Sequence, residues 1–115
     1  MTEYIEVRTA LPTREGAKTI ALHLVRERLA ASAQVSGPIE SVYWWRGEMA
    51  HAQEWIVTAK TRLPFYQDVE QAIRHLHSYE EPGIIAIPII AGIMWNRKRY
   101  VKGYRTGSPI QGEAA

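Results

Sequence analysis

Apolar and polar positions alternate with a period of two along residues 3–8 ("EYIEVR"), which is typical of a half-buried strand. Residues 32–45 ("SAQVSGPIESVYWW") form a second extended segment, in which a Gly-Pro pair predicts a bend or bulge near the middle. A turn at residues 46–48 ("RGE") leads into residues 54–61 ("EWIVTAKT"), where alternate apolar side chains share one face. The second and third strands therefore form a long hairpin.

Two stretches instead show the three- and four-residue spacing of helices. The first runs from the candidate N-cap Thr13, which follows Pro12, to Ala31, and its apolar face consists of Ala17, Ile20, Ala21, Leu24, Val25 and Leu29. The second begins at Pro64, a residue suited to a first helical turn, and ends within residues 76–79. Its apolar stripe consists of Phe65, Val69, Ala72, Ile73 and Leu76.

A fourth strand is predicted at residues 84–90 ("IIAIPII"), and Pro88 favours an edge position because proline cannot donate a ladder hydrogen bond. The order β-α-β-β-α-β predicts an α+β, ferredoxin-like fold whose antiparallel sheet carries two helices on one face. The other face stays uncovered, and both faces of the hairpin contain apolar residues. An apolar surface of that size favours association, so we expect an oligomer.

Composition adds a domain boundary. Residues 1–95 carry a net charge of −2 and are predicted to form the ferredoxin-like domain, whereas residues 96–115 carry +4 and are predicted to form a basic C-terminal segment, helical or extended, whose end we expect to be disordered. The N-terminus lacks the pattern of a signal peptide, and the 12-residue apolar run 84–95 is too short to span a bilayer, so a cytoplasmic protein is expected. The absence of cysteine excludes thiolate metal sites and disulfides.

Candidate chemistry is sparse. Phosphate-binding glycine loops and zinc-protease motifs are missing, and Asp68 is the sole aspartate available to a serine triad, so we do not expect an enzyme. His77, followed by Glu80 and Glu81, suits copper(II) or zinc. The alternative, which the spacing alone favours, is a helix-ending histidine that is hydrogen-bonded to backbone.

The segment 96–105 ("NRKRYVKGYR") interleaves cations with tyrosines, as proteins that bind single-stranded nucleic acid do. The alternative is a solvated terminal helix whose rings dock on its own domain. We favour the second interpretation and expect no nucleic-acid partner.

Four separated motifs, "RERLAAS", "VYWWRGE", "AKTR" and "LHSYEEPGIIAIPI", resemble the CutA family of divalent cation tolerance proteins in order and spacing, over residues 3–92. The resemblance implies a ferredoxin-like fold assembled as a homotrimer similar to that of PII signalling proteins. It also implies that the rings of Tyr43, Trp44 and Trp45 belong to subunit interfaces and to the clefts between subunits, together with Tyr79.

A copper site suggested for the family implies three ligands, of which this chain keeps one. His77 matches the family's histidine, but Thr9 stands at the position of the cysteine and Gly83 at that of the glutamate. The loss of a thiolate and a carboxylate predicts weak copper(II) binding, through His77 with help from Glu80 or Glu81. No organic cofactor is implied.

The resemblance therefore predicts a non-enzymatic, trimeric protein that acts in the response to divalent metal ions. Two alternatives stay open. One is an anion- or nucleotide-binding regulatory module that uses clefts lined by Lys60, Arg62 and the basic tail, and the other is a scaffold for partner proteins.

Overall fold

The structure, a computed structural model, describes residues 3–92 of the 115-residue chain. Its elements are β1 (Tyr4–Leu11), α1 (Arg14–Arg26), β2 (Ser32–Trp45), β3 (Glu48–Arg62), a 3-10 turn (Leu63–Phe65), α2 (Tyr66–Leu76) and β4 (Ile84–Pro88). The four strands form one antiparallel sheet in the order β2-β3-β1-β4. This arrangement confirms the predicted ferredoxin-like α+β fold. The predicted basic segment 96–115 lies outside the described residues.

Helix α1 begins as predicted but ends earlier. The hydroxyl of Thr13 caps it by accepting a hydrogen bond of 3.0 Å from the Gly16 amide. The prediction that it reaches Ala31 is wrong, because Arg28 adopts a φ of 60° and the amides of Leu29 and Ala30 both donate to the Leu24 carbonyl. The left-handed residue ends the helix, and the chain turns back towards the sheet.

The hydrophobic core lies between the helices and one face of the sheet. Buried side chains from β1, β3 and both helices form a single cluster, in which Leu11, Ile20, Leu24, Phe65 and Ile73 are fully buried. In β1 the even-numbered residues Glu6 and Arg8 point to the other face. The helices thus cover one face of the sheet, as the sequence predicted.

The fourth strand is shorter than predicted. It ends at Pro88 rather than at residue 90, and it pairs with β1 at the edge of the sheet, as the proline indicated. The chain nevertheless continues alongside β1, since the Ile89 amide donates to the Tyr4 carbonyl.

The β2–β3 hairpin is the most prominent feature of the fold. Strand β3 begins at Glu48, six residues before the predicted start. The prediction began too late because residues 50–53 are polar or alanine and show no apolar alternation. The pairing shifts between Ser36 and Ile39, which confirms the predicted bulge. The distal part of the hairpin projects from the sheet, since β1 ends opposite Trp55.

The tip of the hairpin is a two-residue turn, Arg46-Gly47. Both residues have positive φ, 51° and 79°, as a type I′ turn requires, and this turn type matches the twist of the flanking strands. Trp45 and Glu48 therefore pair directly, and so do Trp44 and Met49. This register decides which aromatic ring points to which face of the hairpin.

Candidate functional site

A cleft lies between the hairpin and the loop that joins α2 to β4, and we call it the aromatic cleft. Its volume is about 960 Å³, near the upper end of the range for small-molecule sites. The hairpin contributes one wall and the loop contributes the other. The lining residues are Ala10, Ser41, Val42, Tyr43, Trp45, Glu54, Tyr79, Glu80, Glu81 and Gly83.

Strand alternation explains which rings line the cleft. Tyr43 and Trp45 lie two residues apart on β2 and therefore point to the same face, whereas Trp44 points to the opposite face. Tyr79 adds a third ring from the loop. The guanidinium carbon of Arg46 lies 5.2 Å from the centre of the Trp45 ring, a distance at which a cation is attracted to the ring.

Glu54 is the acceptor at the centre of a hydrogen-bond network in the cleft. One of its oxygens accepts a bond of 2.6 Å from the Ser41 hydroxyl, and the other accepts a bond of 2.9 Å from the Tyr79 hydroxyl. Burial, together with the bond to Glu54 and its negative charge, raises the pKa of Tyr79 to about 12. The Tyr79 hydroxyl thus stays protonated at neutral pH, and the network ties the loop to β3.

His77 ends α2, and both of its ring nitrogens are engaged. Its Nδ1 accepts a hydrogen bond of 3.0 Å from the Tyr79 amide, which leaves Nε2 as the donor in the 2.8 Å bond to the Ala10 carbonyl. Burial lowers the pKa of His77, and the Ala10 carbonyl and the Glu54 charge oppose this effect in part. The neutral imidazole therefore joins the end of β1 to the start of the loop.

The two positions at which the resemblance implied a cysteine and a glutamate also touch each other. The Thr9 hydroxyl, which is buried, donates a hydrogen bond of 2.8 Å to the Gly83 carbonyl. Within residues 3–92, moreover, no three His, Cys, Asp or Glu side chains lie close enough to hold one metal ion. The described residues hence do not fit a preformed copper site.

The structure brings most of the predicted site residues together. Tyr43, Trp45, Tyr79, Glu80 and Glu81 line the aromatic cleft, while Trp44 lies on the other face of the hairpin.

Lys60 and Arg62 are not among the residues that line the cleft. Lys60 lies 3.6 Å from a Glu6 carboxylate oxygen, and Arg62 forms an ion pair with Glu3. These cations belong to the sheet rather than to the cleft.

The sequence analysis missed Glu54 and Ser41, which organise the cleft. A signal for them existed in the register of the hairpin. If the turn is placed at Arg46-Gly47, Ser41 pairs with Ala52, and Glu54 lies diagonally across on the same face.

A family model described as "CutA1 divalent ion tolerance protein" matches residues 5–98. The chain belongs to this family. A divalent-cation tolerance protein CutA from Thermus thermophilus is 38% identical over 82 residues, which are 71% of this chain and 80% of that protein.

Solved structures agree with this assignment. CutA1 from Oryza sativa superposes with a TM-score of 0.86 at 29% identity, over 92% of this chain and 97% of that one. A structure described as the periplasmic divalent cation tolerance protein CutA from Archaeoglobus fulgidus gives a TM-score of 0.82 at 31% identity, over 87% and 97% of the two chains. None of the helices within residues 3–92 is long and apolar enough to cross a membrane.

Proposed function

We propose that this CutA-family protein acts without catalysis, as a homotrimer, in the response to divalent metal ions, and that it binds copper(II) weakly. The observation that carries the assembly is the exposed apolar surface of the hairpin. Val42, Trp44 and Met49 are 57%, 75% and 62% exposed, and they share one face of the hairpin beyond the end of β1. An apolar patch of this kind favours burial against another protein surface.

Both edges of the sheet support association as well. Strand β2 pairs with β3, and β4 pairs with β1, so the outer backbone groups of each edge strand lie open within the described part of the chain. Ile85 on β4 is 56% exposed. Contacts between different edges of neighbouring copies are heterologous, and such contacts close into a ring when the rotation allows it. Sedimentation equilibrium is expected to give three times the 13.1 kDa of one chain.

Copper(II) binding is proposed to be weak because His77 must give up a hydrogen bond to become a ligand. Its Nε2 is bonded to Ala10 and its Nδ1 to the Tyr79 amide. Glu80 and Glu81 line the neighbouring cleft and supply carboxylates, for which copper(II) has some affinity. Rupture of either histidine bond costs about 1–3 kcal/mol, which reduces the affinity by roughly ten- to a hundredfold.

The test is a calorimetric titration of copper(II) into metal-stripped protein. We expect a dissociation constant weaker than about 1 µM, the value that corresponds to roughly −8 kcal/mol. His77→Ala is expected to weaken binding further, whereas His75→Ala, at an exposed histidine of α2, is the matched control and should not. Equal affinities in both variants, or submicromolar binding by the wild-type protein, would contradict the proposed site.

A variant with the missing ligands provides a positive control. Gly83 has no heavy atom within 4 Å of an added Cβ, so Gly83→Glu fits sterically. Thr9→Cys places a thiol where the hydroxyl now meets the Gly83 backbone. The double variant is expected to bind copper more tightly than the wild-type protein, because a thiolate and a carboxylate join His77.

The anion-binding alternative lacks a comparable observation. Lys60 and Arg62 already form ion pairs with carboxylates, and within residues 3–92 the charged residues that line the aromatic cleft are Glu54, Glu80 and Glu81. The basic tail, which also belongs to this alternative, lies outside the described residues. The cytoplasmic location also stays a prediction, since a structurally similar protein is described as periplasmic. Cell fractionation with an antibody against the chain tests it.

A further inference from the structure

We propose that the aromatic cleft binds a small organic cation, such as a primary or quaternary ammonium group. The cleft combines two features that favour this class of ligand, namely aromatic faces and carboxylates. The three rings are Tyr43, Trp45 and Tyr79, and the three carboxylates are Glu54, Glu80 and Glu81. This inference goes beyond the proposed function and does not depend on the trimer or on copper.

The rings provide the first part of the argument. An ammonium group is attracted to the negative face of an aromatic ring, and a tryptophan gives the strongest contact. Trp45 already demonstrates this chemistry within the chain, because the Arg46 guanidinium lies 5.2 Å from its ring centre. Tyr43 is 44% exposed and Tyr79 is 37% exposed, so both retain accessible ring surface.

The carboxylates provide the second part. Among the described residues 3–92, those that line the cleft include no lysine, arginine or histidine, so the three glutamates give this part of the chain a negative potential at the cleft. They are nevertheless not grouped closely enough to hold one metal ion. Charge spread around a cavity of about 960 Å³ instead suits a cation several atoms wide, which contacts rings and carboxylates at the same time.

Glu54 is held in position for this role. Its two oxygens each accept one hydrogen bond, from Ser41 and from Tyr79. A carboxylate has about four acceptor sites, so two stay available for an ammonium donor or for a charge contact. Since the positioning bonds come from neutral hydroxyls, the negative charge of Glu54 is not cancelled by them.

The cleft and the proposed interface use different faces of the distal hairpin. Trp44 and Met49 follow the opposite parity from Tyr43 and Trp45 and so lie on the other face, while Val42, which shares the parity of Trp44, also borders the cleft. The same hairpin can thus contribute one face to a neighbouring subunit and the other face to a ligand.

The first test compares a cation with a neutral molecule of similar shape. Tetramethylammonium chloride and tert-butyl alcohol are titrated into the full-length protein at constant ionic strength, and saturation-transfer NMR reports binding of their methyl groups. We expect tetramethylammonium to bind at least tenfold more tightly. Equal binding of the two would overturn the proposal, and so would complete displacement of tetramethylammonium by an equal concentration of magnesium ions, because it would indicate a diffuse charge effect.

Variants locate the site. Glu54→Gln and Trp45→Leu are each expected to weaken tetramethylammonium binding at least fivefold, while Glu40→Gln, on the other face of the hairpin, should leave it unchanged. Arg46→Gln should strengthen binding severalfold, because the internal cation no longer occupies the Trp45 ring. The same loss in Glu54→Gln and Glu40→Gln would overturn the assignment. Near-UV circular dichroism checks that each variant is folded, and the comparison on the wild-type protein is independent of all of them.

Discussion

Replacement of Trp44 by serine is the most direct test of the role of the hairpin in assembly. Trp44 is 75% exposed in the single chain and pairs directly with Met49, which is 62% exposed. Little of the ring is buried within the chain itself, so its loss should affect the fold less than any surface that it contacts. The expected result is a protein that folds but associates weakly.

The magnitude follows from the exposed area. A tryptophan has up to about 250 Å² of surface to bury, and 75% of it is exposed here, which leaves about 190 Å² for a partner. At about 25 cal/mol per Å², full burial of this area contributes about 5 kcal/mol per subunit as an upper limit. Since each 1.4 kcal/mol is a factor of ten, Trp44→Ser is expected to weaken association by about fiftyfold even if only half of the area is covered.

The assay is sedimentation velocity over a thousandfold range of protein concentration. The matched control is Leu22→Ser, which removes an exposed apolar side chain, 50% accessible, from helix α1 rather than from the hairpin. We expect the wild-type protein and Leu22→Ser to sediment as trimers where Trp44→Ser dissociates. If Trp44→Ser and the wild-type protein give identical profiles, the proposed apolar face of the hairpin is not an interface.

Three further changes test contacts that stabilise the fold. Thr61→Val removes the buried 2.7 Å bond to the Leu29 carbonyl with little change of shape, so we expect a loss of about 1–3 kcal/mol in the free energy of unfolding by urea. Gly37→Ala places a Cβ 2.7 Å from the Trp55 ring at a φ of 150°, and we expect a loss of about 1–3 kcal/mol in the same assay. Because burial lowers the pKa of His77 below 6.5, the unfolded chain takes up the proton first, so stability should fall as pH drops below about 6.5, and less so in His77→Gln.

Each of these expectations has a control in the chain. Thr58→Val makes the same change at a half-buried position of β3, and a loss as large as that of Thr61→Val would argue against the buried bond. Gly83→Ala meets no heavy atom within 4 Å, so a loss equal to that of Gly37→Ala would exclude the clash with Trp55 as the cause. A pH profile that is identical in His77→Gln and the wild-type protein would assign the acid sensitivity to other groups.

The helices and strands were predicted well from the sequence because burial of one face imposes a regular spacing on their apolar residues. The apolar face of α1 and the alternation in β1 reflect which side chains are buried, and these patterns located both elements. Prediction failed where other forces decide. Arg28, with its positive φ, ended α1 early, and backbone pairing across a type I′ turn extended β3 back to Glu48 through residues with no apolar period.

The cleft was harder to predict because its contacts join distant parts of the chain. Glu54 and Tyr79 are 25 residues apart, and His77 and Ala10 are 67 apart. No local period marks such pairs, so they emerge only when the register of the hairpin and the path of the loop are both known. The resemblance to the CutA family implied that the aromatic run belongs to clefts and interfaces, but strand alternation was needed to separate Trp44 from Trp45.

The hydrogen bonds of His77 change how its place in the sequence is understood. A histidine before two glutamates suggests a metal ligand. Here, however, one ring nitrogen is hydrogen-bonded to the β1 backbone and the other to the backbone of the loop that carries Tyr79. Tyr79 in turn bonds Glu54 on β3. His77 thus holds one wall of the cleft against the other, and the charge available to a ligand resides on the glutamates. An organic cation is therefore expected to occupy the cleft without displacing His77, whereas a copper ion bound through His77 would have to break one of its two hydrogen bonds.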